Sequence, residues 1–155
     1  MTQQAYEALL NDVAAALDIE KVETDKSGGF VLELDETRWV SVAYSTPEDK
    51  LMCQLCLEAT LSPDAETLRY LLRQNQFIAE YEQQHFFSLI PDIQQHNNIV
   101  VALLRLPVHN MTPKIFLQEV DRMVSRGTAV ESWLLQLKEQ KEAAPAAIEQ
   151  AALKA

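Results

Sequence analysis

Between Phe30 and Thr60 the chain falls into three runs in which apolar residues recur at every second position. Phe30, Leu32 and Leu34 alternate with Val31, Glu33 and Asp35; Val40, Val42 and Tyr44 alternate with Trp39, Ser41 and Ala43. Leu51, Cys53, Leu55 and Leu57 then carry the apolar set of the third run, with Gln54 and Glu58 on the other. A period of two is the spacing of a strand with one buried face, because neighbouring side chains on a strand point to opposite sides. The connections Asp35–Arg38 and Pro47–Lys50 are too short for a crossover helix. The three strands must therefore form an antiparallel meander.

That period also decides how the only two cysteines are read. Cys53-Gln54-Leu55-Cys56 has the spacing of a redox pair or half a zinc site. Residues three apart on a strand point to opposite faces, however, whereas a redox pair needs both sulfurs together, usually at a helix N-terminus. Zinc needs four ligands, and the chain has no second cysteine pair. Cys53 is expected in the core and Cys56 on the other face.

Helical spacing brackets the meander. Tyr6, Leu9, Leu10, Val13 and Leu17 form an amphipathic stripe over about Thr2 to Leu17. A second helix opens at Ser62-Pro63, an N-cap and first-turn proline, with Asp64 and Glu66 favouring its positive end. It carries two apolar sides, one through Leu68, Leu71, Leu72, Asn75 and Ile78 and one through Tyr70, Phe77 and Tyr81. Two apolar sides imply two buried sides. The aromatic side, Tyr70, Phe77 and Tyr81, is expected in a homodimer interface, since interface cores favour aromatics. Strands at His85–Ile90 and Ile99–Leu106 follow, the latter apolar on both faces. Thr112-Pro113 opens a last helix, expected to bend or restart at Gly127-Thr128 and to continue through Val130, Trp133, Leu134 and Leu137.

The resulting order, α-β-β-β-α-β-β-α, is an α+β domain with helices packed on a twisted antiparallel sheet. It spans residues 1–137. Residues 138–155 form an Ala-rich tail with Pro145 in its middle, expected as a helical extension or a disordered segment.

Composition narrows function. Net charge is −10, with 23 acidic against 13 basic residues, a surface that repels phosphate backbones. No apolar run approaches the ~20 residues of a membrane span, and the N-terminal residues lack the pattern of a signal peptide. Unpaired cysteines fit a reducing compartment, so the expectation is a cytoplasmic protein. His85, His96 and His109 have no partner at helical metal-ligand spacing, and three glycines leave no phosphate-cradling loop. Glu33, Asp35 and Glu36 cluster on the first hairpin, but catalysis would need one carboxyl raised by burial, and hairpin tips are wet. No enzymatic activity, cofactor or metal is expected.

A small, acidic chain with this element order resembles the class I type III secretion chaperones, the Tir chaperone family. The stretches that carry the likeness are "YEALLNDVAAAL", "GGFVLELDE", "WVSVAYS", "LMCQLCLEATL", "LRYLLRQNQF" and the late "AVESWLLQL" with Trp133. The resemblance implies a bacterial homodimer that binds the N-terminal segment of a secreted effector in extended form. It would keep that segment soluble and export-competent without ATP. Strand addition at a sheet edge and apolar side chains entering surface grooves would do the binding. Leu10 and Val13 on the first helix, with Val31 and Trp39 on the first strands, are then the expected docking residues unless the last helix covers the latter two. The alternative is a small dimeric regulatory domain of similar fold that binds a folded protein.

Overall fold

The computed structural model describes the backbone of residues 2–61, 65–76, 84–94 and 97–154. The elements run α1 (Thr2–Ala16), β1 (Phe30–Glu33), β2 (Trp39–Ser45), β3 (Lys50–Leu61), α2 (Ala65–Gln76), β4 (Gln84–Asp92), β5 (Asn97–Pro107) and α3 (Pro113–Lys154). The order is the expected α+β order. The strands make one antiparallel sheet in the order β1-β2-β3-β5-β4, so the meander is extended by a hairpin whose second strand pairs with β3. Ser62, the expected cap of α2, lies outside the described residues.

One face of the sheet is the core. Phe30, Val42, Cys53 and Leu104 lie side by side across four strands, and all four are buried. α1 and α3 cover this face. Tyr6 of α1 stacks on Tyr44 with ring centroids 4.6 Å apart, and its hydroxyl donates to the Gly28 carbonyl. Burial pushes the Tyr6 phenol up to about 12, so it stays a neutral donor. At the start of α3, Thr112 accepts from the Ile115 amide through its hydroxyl (3.2 Å), the N-cap expected beside Pro113. Phe116 then meets Phe30 at 6.2 Å.

Gly127 does not interrupt the last helix. α3 is continuous from Pro113 to Lys154. The glycine is there for approach: a Cβ at that position would stand 3.1 Å from Leu55 Cδ2 and 3.2 Å from Leu57 Cδ2. A missing side chain lets α3 lie directly on β3, which sequence spacing alone reads as a helix breaker. The helix also runs through residues 138–154.

β4 is the edge strand on the far side, and α2 packs along it. Asn75 of α2 bonds both backbone groups of Phe87, accepting from its amide at 2.7 Å and donating to its carbonyl at 3.0 Å. The side-chain amide therefore occupies the positions that a neighbouring strand would use.

Candidate partner-binding surface

The opposite face of the sheet has no helix on it in the described residues. Val31, Ser41, Gln54, Leu103 and Phe86 form one row across all five strands, and Ala43, Met52 and Arg105 form the next. Val31 is 56% exposed and Trp39, opposite Glu33, is 55% exposed. α3 lies on the core face, so it leaves both uncovered. Large apolar side chains seldom stay this accessible together on a monomer without a binding role.

The apolar strip borders a free edge. Leu34 donates its amide to the Arg38 carbonyl at 2.9 Å just beyond the last β1–β2 pair, Glu33/Trp39, and this bond sets the phase of the ladder. Bonded and unbonded pairs alternate in an antiparallel ladder, which makes Leu32/Val40 and Phe30/Val42 the bonded pairs. Val31 and Glu33 therefore turn their amides and carbonyls away from β2. The next outward-facing residue, Gly29, is closed off by Asp25, which donates its amide to the Gly29 carbonyl (2.7 Å) and accepts the Gly29 amide on Oδ1 (2.9 Å). Thus the segment before β1 seals one end of the edge and leaves the rest open.

Beside that edge lies a groove of about 740 Å³ between residues 23–29 and the outer sheet face. Its floor includes Val31, Ala43, Met52 and Leu103, and Glu23 and Asp25 stand in its wall. Met52 and Leu103 were not singled out from the sequence, although their parity along β3 and β5 could have placed them. What hid them was β5, whose run "IVVALLRL" reads as covered on both sides. Val101 is indeed fully buried on the outer face, but Leu103 is half-buried and open to the groove.

α1 contributes less than expected. Val13 is 0% exposed and belongs to the core, so it is withdrawn as a docking residue: the stripe that makes α1 amphipathic is consumed by its own sheet. Leu10 is half-buried against that core and keeps some accessible surface. On α2, Tyr70 stacks on Trp133 of α3 at 3.6 Å and is already engaged within the chain. Phe77 and Tyr81 lie outside the described residues. The apolar side that α2 leaves free is instead Leu68 and Leu72, four residues apart, the latter 61% exposed.

The other candidates resolve into structural roles. Cys53 is buried with its thiol pushed up to about 12 by burial, while Cys56 is exposed, so the two do not form a pair. Asp35 accepts from the amides of Thr37 and Arg38 and from the Arg38 guanidinium at 2.8 Å. The Thr37 amide and the Arg38 side chain hold its carboxyl down at about 2, the reverse of what a general acid needs. It shapes the hairpin. Among the described residues no group of His, Cys, Asp or Glu could hold a metal ion, and no helix is long and apolar enough to cross a membrane.

His85 is used differently again. Its Nε2 is 2.8 Å from Glu119 Oε2, and Glu119, itself buried on α3, also receives Arg122 at 2.6 Å. His85 Nδ1 is buried with no partner among the described residues. Burial outweighs the attraction of Glu119 and lowers the His85 pKa below its usual 6.5. The unfolded chain thus takes up this proton before the folded one does. The stability contributed by neutral His85 is present above about pH 6.5 and is lost as pH falls through the lower folded value. Urea midpoints should decline over that window, and His85→Gln, which keeps an amide donor for Glu119, should flatten the decline. An unchanged slope in the variant would assign the acid sensitivity elsewhere.

Comparison with known proteins places this geometry. No curated protein sequence matches the chain. Among solved structures, the Yersinia pestis type III secretion chaperone SycH, solved in complex with a stable fragment of YscM2, aligns with a TM-score of 0.65 at 18% identity, covering 81% of this chain and 98% of that one. The HopA1–SchA chaperone–effector complex aligns at 0.67 and 15%, over 85% and 97%. The ExsC–ExsE complex aligns at 0.64 and 15%, over 86% and 96%. At such identities the likeness is one of fold. The sequence itself matches the Tir chaperone protein (CesT) family over residues 8–130, which takes in α1 from its first turns, the whole sheet and α3 past Gly127. The chain belongs to the Tir chaperone protein (CesT) family.

Proposed function

We propose that the protein is a non-enzymatic, ATP-independent chaperone of type III secretion. It binds the N-terminal segment of a secreted effector in extended form and keeps it competent for export from the bacterial cytoplasm. The observation that carries this reading is the exposed strip of Val31 and Trp39 beside the open edge of β1. An extended segment added there gains main-chain hydrogen bonds from Val31 and Glu33, while its alternate side chains reach the groove floor. The far edge is less available, because Asn75 already occupies the backbone groups of Phe87. Family membership and the neighbouring structures, two of them named as chaperones or chaperone–effector complexes, support the same partner class. Co-expression with the N-terminal region of a secretion substrate, followed by limited proteolysis, tests it. A protected extended fragment is expected. Capture of a folded domain with no such fragment would favour the regulatory alternative.

The active unit is proposed as a homodimer with α2 in the interface, where Leu68 and Leu72 meet their counterparts. Leu72→Asp would place a carboxylate in an apolar contact while leaving the monomer's core untouched. Sedimentation should then report a monomer of unaltered circular dichroism. A dimer that persists would remove α2 from the interface.

A further inference from the structure

The groove beside β1 carries charge as well as apolar surface, and its charge points to the kind of segment it takes. Glu23 and Asp25 stand in its wall, and both are exposed. Asp25 is fixed by its turn: Oδ1 accepts from the amides of Ser27 (2.7 Å) and Gly29 (2.9 Å). Val22, one residue before Glu23, is buried and anchors the wall segment to the core. Glu33 adds a third exposed carboxylate just beyond the groove lining, on the outer face of the edge strand along which an added segment would run, opposite Trp39.

The cations nearby do not cancel these charges inside the groove. Arg105, beside Met52 in the second row, is half-buried with its guanidinium laid over the Phe86 ring at 5.5 Å, on the β4 side of the sheet. Lys50 lies at the start of β3, opposite Ser45 and Pro107, and Lys26 projects from the wall turn; neither lines the groove. With a chain net charge of −10, no long-range positive field offsets the local one.

We infer that the segment docked in this groove carries basic side chains flanking its apolar anchors, with Lys or Arg set against Glu23 and Glu33. The inference rests on the docking reading above and specifies its ligand. Apolar side chains on Val31, Met52 and Leu103 supply burial. The carboxylates select among segments of equal hydrophobicity and fix which way along the edge the segment runs. Because the carboxylates are exposed, their effect is one of selectivity and is sensitive to salt.

The test uses three fluorescein-labelled peptides with one pattern of alternating Leu and Ser, differing only in whether the flanking positions hold Lys, Gln or Glu. Anisotropy titration against the full chain should give an order of Lys tighter than Gln tighter than Glu, with about fivefold between the extremes or more at low salt. Raising the salt to about 0.5 M should compress the series. A Glu23→Lys, Glu33→Lys double variant should reverse the order, and its unchanged melting temperature would confirm that the wall still folds. Equal binding of all three peptides overturns the charge inference and leaves the docking reading standing. Preference for the Glu peptide overturns it in favour of Arg105 as the selecting group. Binding of none overturns both.

Discussion

Phe116→Ala should lower the unfolding free energy by about 4 kcal/mol, with a fall in melting temperature of roughly 10 °C or more. The side chain is 0% exposed at the first turn of α3 and meets Phe30 at 6.2 Å. Truncation loses the transfer free energy of the ring and leaves a cavity that the neighbours cannot easily fill. Their positions are set by hydrogen-bonded strands on one side and by a capped helix start on the other. The consequence reaches the candidate site. β1 has only four residues and one paired edge, so the Phe30–Phe116 contact is a main reason it stays in place. Denaturation and partner capture should therefore fall together in this variant, and hydrogen exchange at Phe30 and Leu32, whose amides face β2, should accelerate first. A loss below about 1 kcal/mol would mean that the site collapses readily around the gap.

Trp39→Ala should have the opposite profile. Its ring is more than half exposed on the outer face, so the monomer loses little on truncation, and the melting temperature should move within about 0.5 kcal/mol equivalent. Capture of an extended segment should weaken by about 2 kcal/mol or more, because aromatic anchors dominate interface energetics when they become buried on binding. Isothermal titration with a purified partner fragment reads the affinity, and a thermal melt of the free protein reads the control. Normal binding by a folded variant would remove Trp39 from the interface. Unfolding of the variant would mean that the ring supports the sheet from its outer side.

Local rules carried much of the architecture. Alternation in the three N-terminal strands specified which residues face the core, and short turns between them allowed only a meander. The same alternation separated Cys53 from Cys56 and put Val31 and Trp39 on the outer face, because a period of two leaves no freedom once one face is buried. The Thr112-Pro113 start of α3 was equally local.

Wherever one element's side chain answers to another element, the sequence was silent. Val13 belongs to the same helical stripe as Leu10, and only the packing of α1 on the sheet decides that one is sealed and the other is not. Tyr70 was expected in a dimer interface from its helical side alone, and the stacking on it of Trp133, far along the chain, is visible only in the fold. Gly127 read as a break because a glycine's intrinsic helix propensity is poor, whereas its use is to let α3 touch Leu55 and Leu57. The Asn75 block on β4 and the His85–Glu119 pair likewise join residues of different elements. Periodicity reports which way a side chain points relative to its own backbone. What it meets there is a property of the whole fold, and that is what determined which apolar surface remained for a partner.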